Sequence, residues 1–585
     1  MRSSRLVLFA LLMMGAAGAC ATPFGEAPPP GGQGDGGQSN GSQGDGGGQG
    51  DGGPTDNGAE NFRFNIDSSA PLYIVQGISN SIPISIARTG ATASDIQVTV
   101  QGLPSGVVAA PLTIHSAEST GNLQINVPIT MAQGALSGVT IQGQAVGAQV
   151  SNTGNLPLFV RGTAGSLDAT FASSGRLIDV FGEQTSAADV LVSSDDHIYV
   201  IAGCTRSGAN STCIARLTSD GVIDPAYGSR GVAALVGLSP EANGGAGVLL
   251  SDGSIVVVGM IIGAGNYGSN TYTPAYGVVP ADGNRANANL AVNSLTQYGA
   301  PTSISYNNVT PAIAPLPNGE GGIIVFDAAD INDKPAIGAL KITSNGVDDS
   351  FGQNGVALTS FPGASSFESR GVAVRPDGTI AIVGVIPNPN VIQGMLPVIE
   401  QLTSKGSPDP NFASNGQMLF DQLGDQLSIT TYNPRTDGGK AIALLAGGQV
   451  VAMFDGGNSY PSPMVAFAAD GKTLDTAFGS NGVVSVPTGT ILIPNVFVDN
   501  QNRLLVPSYT MGFLESVSRY TADGSLDRSF GSAGKATQPM PSGLSEYNNG
   551  SIAARVQTSG RIVLLSNAVN SSNDQNITVL SRLWN

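Results

Sequence analysis

Residues 523–534 read DGSLDRSFGSAG, and residues 470–482 read DGKTLDTAFGSNG. The shared order is a tight turn, an apolar residue followed by Asp, an aromatic, and Gly four residues after the aromatic. It recurs at Leu167-Asp168 with Phe171 and Gly175, Ile223-Asp224 with Tyr227 and Gly231, and Val347-Asp348 with Phe351 and Gly355. It recurs again at Pro408-Asp409 with Phe412 and Gly416, Leu474-Asp475 with Phe478 and Gly482, and Leu526-Asp527 with Phe530 and Gly534. From Asp to Asp the steps are 56, 124, 61, 66 and 52 residues. The step of 124 is two periods, so a copy that has lost its signature is expected after Asp282-Gly283, at about residues 284–346, and the count becomes seven.

Each period holds about four strand-like runs; in the first they are residues 176–181, 187–192, 197–202 and 212–218. A unit of four short strands cannot cover its own apolar face, so its neighbours must. The expectation is an all-β chain whose residues 163–585 form a seven-bladed β-propeller. If the first run of each period is the outer strand of the preceding blade, residues 176–181 lie beside residues 577–584. That pairing removes the open edges that invite aggregation. The repeated residues have a structural account: the aromatic wedges between sheets, the Gly takes a positive φ, and the Asp accepts backbone N–H groups in an Asx-turn. Seven Asp-Gly loops also read as cation sites, but one carboxylate per loop falls short of calcium's six to eight oxygens.

The strings LDATFASSG, VDDSFGQNG, TLDTAFGSNG and SLDRSFGSAG resemble the delta-60 repeat of bacterial surface and secreted proteins. The resemblance covers residues 166–585 and implies a β-propeller-like fold without implying an activity. Upstream, residues 61–162 alternate apolar and polar positions in runs such as residues 82–87 and 96–100. About seven short strands in such a length read as a β-sandwich. The stretch VTVQGLPSGVVAAPLTIHSAESTGNLQI, residues 98–125, resembles bacterial Ig-like modules, which implies a spacer or adhesion role.

The chain opens with Arg2 and Arg5, then the apolar run LVLFALLMMGAA at residues 6–17, then Ala17-Gly18-Ala19 before Cys20. Twelve apolar residues are too few to span a bilayer and suit a signal-peptide core, placed at residues 1–19. The segment resembles the lipobox of bacterial lipoproteins, which implies a lipidated Cys20 and a membrane anchor. It departs from that pattern in having Ala17 where Leu is usual, and Ala17-Gly18-Ala19 also fits ordinary cleavage. Residues 20–60, rich in Gly, Gln and Asp, read as a disordered tether. The address is therefore an outer-membrane or cell-surface lipoprotein, or a periplasmic or secreted protein if Cys20 carries no lipid. In an oxidising compartment Cys204 and Cys213, which flank eight residues between two strand-like runs, suit a disulfide, with two buried thiols as the alternative.

The 585 residues carry a net charge of −17 with only 11% charged residues, and no Lys/Arg cluster interrupts the acidity. That balance argues against nucleic acid as a partner. The two histidines, His115 and His197, fall in different domains, and no metalloprotease, P-loop or dinucleotide motif is present. Asp327, Asp330 and Asp333 form the densest acidic cluster: a calcium loop, a carboxylate pair for glycoside cleavage, or a solvated hairpin. Calcium is the one cofactor it would suit. Tyr267, Tyr272 and Tyr276, in GNYGSNTYTPAYG, read as a recognition loop or as a surface loop without a partner. The functional expectation is an envelope-anchored binding or scaffold protein, a monomer presenting its propeller to a protein or glycan. The alternative is a secreted hydrolase or lyase with carboxylates, and a metal if needed, in the propeller channel. These alternatives differ in whether carboxylates converge at the channel mouth.

Overall fold

The computed structural model describes residues 61–585 apart from 90–93, 173, 241–245, 265–269, 285–289, 303–310, 331–333, 362–363, 388–394, 420–441, 455–461, 469, 487–495, 511–512, 540 and 546–550. Contacts divide the chain into Met1–Asn57 and Gly58–Asn585, and every described residue belongs to the second unit. Cys20 and the leader and tether expected at residues 1–19 and 20–60 lie outside the described residues.

Alternation in residues 61–161 becomes two four-stranded sheets over one core. The first sheet orders Asn61–Phe64, Ser79–Thr89, Thr120–Asn126 and Val108–Ala109; the second orders Ser151–Asn155, Thr140–Ala145, Ile96–Gln101 and Leu112–Ile114. Every second residue points inward, so Ile82, Ile84, Ile86, Leu123 and Ile125 meet Ile96, Val98, Ile114 and Ile141 in a single apolar cluster. Leu72–Val75 pairs in parallel with Leu158–Arg161, which hands the chain to the repeats.

Seven more antiparallel sheets follow among the described residues. Their innermost strands include Ser186–Val192, Gly247–Leu249, Ala312–Pro315, Glu368–Val374, Ile442–Leu444, Phe497–Val498 and Ser551–Val556. The first six touch in succession, and Ser551–Val556 touches both Leu504–Thr510 of the sixth sheet and Ser186–Val192 of the first. Sheets arrayed in this way, each burying its faces against the next, make a β-propeller. Its outermost strand in the last sheet is Arg176–Ile178, paired with Gln575–Leu583 as Arg176 with Ser581, Leu177 with Leu580 and Ile178 with Val579. The phasing read from the sequence predicts this pairing of distant segments.

The repeated signature joins sheet to sheet. Its aromatics Phe171, Tyr227, Phe351, Phe412, Phe478 and Phe530 are all buried. Each sits against the turn of the next sheet; a Cβ on Gly471 would lie 2.1 Å from the Phe412 ring, so only Gly fits there. The residue after each aromatic donates its N–H to a carbonyl of that next turn: Ala172 to Asp220, Gly228 to Asp282, Gly352 to Lys405, Ala413 to Asp470 and Gly479 to Asp523. At the seam, Gly531 donates to Ala164, so the start of the repeat region supplies the turn the last sheet lacks. The closing glycines of the signature hold φ from 86° to 97°, where a side chain would be strained.

The signature Asp works with both oxygens. Oδ1 accepts the N–H two residues on, as Asp168 does from Thr170, Asp224 from Ala226 and Asp527 from Ser529. Oδ2 accepts from a side chain of the preceding strand: Arg582 for Asp168, Arg216 for Asp224, Gln401 for Asp409 and Arg519 for Asp527. The carboxylates are thus spent on the fold.

The seam is held by buried ion pairs on both sides. Asp168 is fully buried and meets Arg582 Nε at 2.8 Å and Arg561 Nε at 3.0 Å. Arg582 also donates to the Ser219 carbonyl and the Asp220 carboxylate. On the other side Arg176 reaches buried Glu515, which accepts from the Ser581 hydroxyl. Removing one partner of a buried pair strands the other's charge. Arg582→Ala is expected to lower stability by about 3 kcal/mol, read as a shifted denaturant midpoint. The same change at exposed Arg230 should leave the midpoint within about 0.5 kcal/mol of the parent.

Candidate functional site

The connections between strands divide the propeller's two rims. In every sheet the innermost strand is joined to the second by five residues, from 193–197 in the first sheet to 557–561 in the seventh. At the same rim run the signature loops. At the opposite rim, the second-to-third connections range from two residues, 207–208, to eight, 454–461. The links from one sheet to the next range from short ones such as 361–367 to the 22 residues 420–441. One rim is built to a fixed pattern, and the other varies from sheet to sheet.

The N-terminal sheets take the fixed rim. Gln133 donates to the Leu167 carbonyl at 3.1 Å, and its Oε1 accepts from Ala169 N–H at 2.8 Å and from Trp584 Nε1 at 2.9 Å. Tyr73 and Phe159 meet the Trp584 ring edge-on at centroid distances of 6.3 and 6.2 Å, and Arg561 stacks on it at 4.7 Å. The one tryptophan of the chain joins the two parts at the seam.

A cavity of about 480 Å³ runs between the innermost strands, walled by Ala314, Val372, Ile442, Phe497 and their neighbours. Its polar lining consists of Asp499, Asn500 and Arg555. Asp499 accepts from the N–H groups of Gln501 and Arg503 and pairs with the Arg503 guanidinium at 2.7 Å. Arg555 lies over the Phe497 ring at 4.6 Å and donates to Asp189 at 2.9 Å. Asp189 is fully buried and also accepts from the N–H groups of Val190 and Gly247. A bulge at Ala187/Asp189 re-aims that side chain. Among the described residues the lining thus holds one carboxylate, already bonded to its own turn, and a guanidinium that joins the sixth and seventh sheets to the first.

Elsewhere the sequence candidates scatter. Cys204 and Cys213 form a disulfide with Cα atoms 5.9 Å apart, diagonal across the hairpin because their partners are Ser211 and Ala202. This bond belongs to an oxidising, extracytoplasmic environment. No helix among the described residues is long and apolar enough to cross a membrane.

Asp327 lies on strand Gly321–Ala329, and Asp330 caps its hairpin by accepting from Lys334 N–H; Asp333 lies outside the described residues. Among the described residues no three acidic, His or Cys side chains gather as a metal site. Tyr267 also lies outside the described residues. Tyr272 and Tyr276 are not on a loop: both belong to strand Asn270–Val279, and Tyr276 is buried against Leu295, Ile313 and Phe326. The composition reads as loop because Gly, Asn and Ser accompany the tyrosines, yet the strand accommodates even Pro274. Its carbonyl accepts from Leu295 N–H on the fourth-strand side, one residue beyond the ladder, so its missing N–H breaks no pairing.

His197 Nδ1 lies 2.9 Å from Asp195 Oδ2, while Ser193 donates to the other oxygen of Asp195. The carboxylate stands between hydroxyl and imidazole, an order that activates no nucleophile. His115 pairs with Asp95 at an exposed edge.

The residues that sequence reasoning missed are charges inside apolar runs: Asp189 in SAADVLV, Arg555 in SIAARV and Glu400 in MLPVIEQL. In a chain with 11% charged residues, that placement was the available signal. Glu400 is fully buried, and neither carboxyl oxygen has a donor in bonding geometry. Burial raises its pKa to about 7, and the polar neighbours Thr359 and Gln417 offset only part of that.

A carboxyl raised above its ordinary value in the fold contributes stability that is complete below about pH 4.5 and is lost as pH rises through about 7. At ~1.4 kcal/mol per unit, the loss is on the order of 3 kcal/mol. Thermal melts from pH 5 to 8 should show the parent falling, and Glu400→Gln staying flatter and more stable at pH 8.

The model of a domain of unknown function (DUF5122) described as a β-propeller matches residues 193–227. No curated protein matches the chain. Among solved structures, the α-L-arabinanase of Penicillium chrysogenum complexed with arabinobiose aligns at TM-score 0.34 and 11% identity, covering 68% of this chain and 93% of that one. Chaetomium thermophilum Sqt1, bound to the N-terminus of ribosomal protein L10, aligns at 0.34 and 11%, covering 69% and 98%. Drosophila Semaphorin 1b extracellular domains 1-2 align at 0.32 and 11%, covering 70% and 86%.

Proposed function

We propose that this chain is an exported binding or scaffold protein that presents the variable rim of a seven-bladed β-propeller to a protein or glycan outside the cytoplasm. In this reading residues 1–19 direct export, Cys20 carries the lipid, and residues 20–60 tether the body to the envelope. Residues 61–162 are an Ig-like spacer, and residues 163–585 are the head. The carrying observation is the asymmetry of the rims: five-residue turns at one, connections of two to 22 residues at the other, with the N-terminal sheets seated on the fixed rim. Variable connections on a rigid frame are where recognition resides in such folds. The seating leaves the variable rim clear of the N-terminal sheets. A carboxylate-pair hydrolase in the channel is less well supported, because the described residues of the lining bring one carboxylate where the chemistry needs two.

The test replaces residues 420–441 with an equal length of Gly and Ser and, separately, Asn318 and Asp377 of the five-residue turns with Ser. Binding is measured on a glycan array and on immobilised envelope proteins. The first change should weaken binding at least tenfold with an unchanged melting temperature, and the second should leave it intact. Equal binding by the loop variant would place recognition elsewhere. Labelling with a fatty acid should mark the parent and leave Cys20→Ser unmarked.

A further inference from the structure

Six carboxylates are buried among the described residues, and five of them have a donor at hand. Asp168, Asp189, Asp499 and Glu515 each lie within 3.5 Å of an arginine nitrogen. Asp409 accepts from Gln401 Nε2 at 2.7 Å, and Gln401 is itself bonded to Arg375. Glu400 is the sixth. It is fully buried, and neither of its oxygens accepts a hydrogen bond. An ionised carboxylate left in that state is among the costliest groups a fold can hold. The position calls for a positive charge that the described residues do not supply.

The surroundings follow from strand alternation. Val398 and Leu402 of strand Met395–Leu402 share one cluster with Ile337, Ala339 and Ala357 of the third sheet. Glu400 lies between them on the same face, so it points into the interface of the third and fourth sheets. Its cross-strand neighbours are Ile382 and Gln417. Across the interface, Thr359 follows Ala357 on the facing side of Val356–Ser360, opposite Ile337. Thr359 and Gln417 are the polar side chains beside the carboxylate. Gln417 Nε2 donates to the Ser360 carbonyl at 3.2 Å, which leaves Gln417 Oε1 as an acceptor with no donor among the described residues. Lys341 shares the facing side of Pro335–Thr343 but lies four residues from Ile337, about 13 Å along the strand, and pairs with Asp348 at 2.7 Å.

We propose that Glu400, Thr359, Gln417 and the Ser360 carbonyl bind a monovalent metal cation, sodium or potassium, between the third and fourth sheets. One carboxylate balances one positive charge, and a divalent ion would leave a charge uncompensated and short of anionic ligands. The hydroxyl, the amide oxygen and the backbone carbonyl are neutral oxygens of the kind that hard cations accept beside a carboxylate. A partner's lysine has no opening to a fully buried carboxylate. Thr359 and Gln417 stand on the outermost strands and are part-exposed, which puts the route for a bare ion at the outer edge of the two sheets. The competing occupant is a proton, which neutralises the carboxyl but gives the neutral oxygens no role. Where the carboxyl is ionised, the metal ion offsets the stability that ionisation removes. The site is separate from the variable rim and stands or falls independently of it.

Melting of the full chain at pH 8 tests the proposal, in choline chloride and in sodium or potassium chloride at equal ionic strength, with the alkali salt varied from about 1 to 100 mM. Choline supplies the same screening and is too large to enter. The parent should melt higher in at least one alkali salt, by about 2 °C at the top of the range, with an effect that saturates. Glu400→Gln should melt at one temperature in all three salts. Gln417→Leu keeps the carboxylate and loses one oxygen, so it should need severalfold more salt for the same rise, and it carries the test should Glu400→Gln fail to fold. The sodium NMR line should broaden with the parent and less with either variant. A parent that melts at one temperature in all three salts, its carboxyl answered by a proton alone, would overturn the proposal. So would an alkali-salt rise as large in Glu400→Gln as in the parent.

Discussion

The structure depends on one strand pairing between residues far apart in the chain: Arg176–Ile178 against Gln575–Leu583. Every other sheet of the propeller is made from consecutive strands, each formed from local hairpins. The last sheet alone borrows its outer strand from the opposite end of the repeat region. Around this pairing the polar chemistry is concentrated. Asp168 lies between Arg561 and Arg582, Glu515 lies beside Arg176 and Ser581, and Gly531 donates to Ala164. Burying this much charge is costly unless it is bonded. Because the opposite charges, Asp168 with Arg561 and Arg582 and Glu515 with Arg176, meet across the seam, the network makes one register of closure the favoured one.

The same constraint explains the position of the N-terminal sheets. They touch the propeller where its two ends meet, through Gln133, Tyr73 and Phe159 against Trp584. Gln133 bridges Leu167 and Ala169 at the start of the repeats to Trp584 at the end. It thereby spans the junction that carries the largest loop-closure cost. The arrangement fixes one rim in support and leaves the other to vary.

The sequence carried the repeat well because the repeat is local: turn, apolar residue, Asp, aromatic, Gly, with each part answering a backbone need. The Asx-turns and the positive-φ glycines follow from such needs, and so does the phasing that puts residue 177 beside residue 580. Tyr276 was less legible, because tyrosines set among Gly, Asn and Ser resemble a recognition loop until the pairing of Asn270–Val279 with Ile255–Ala264 is known. Asp189, Arg555 and Glu400 were hidden for another reason. Their partners lie on other sheets, and a charge in an apolar run shows that a partner must exist without showing which.

Hydrogen exchange at the closing strand tests the account most directly. If Arg176–Ile178 completes the last sheet, the Leu177 amide, which faces Leu580 in this outermost strand, should exchange as slowly as the amides of Gln575–Leu583, and both should open together as denaturant is added. Exchange of Leu177 within seconds, as in a free chain, while Gln575–Leu583 stays protected, would contradict closure by these two segments.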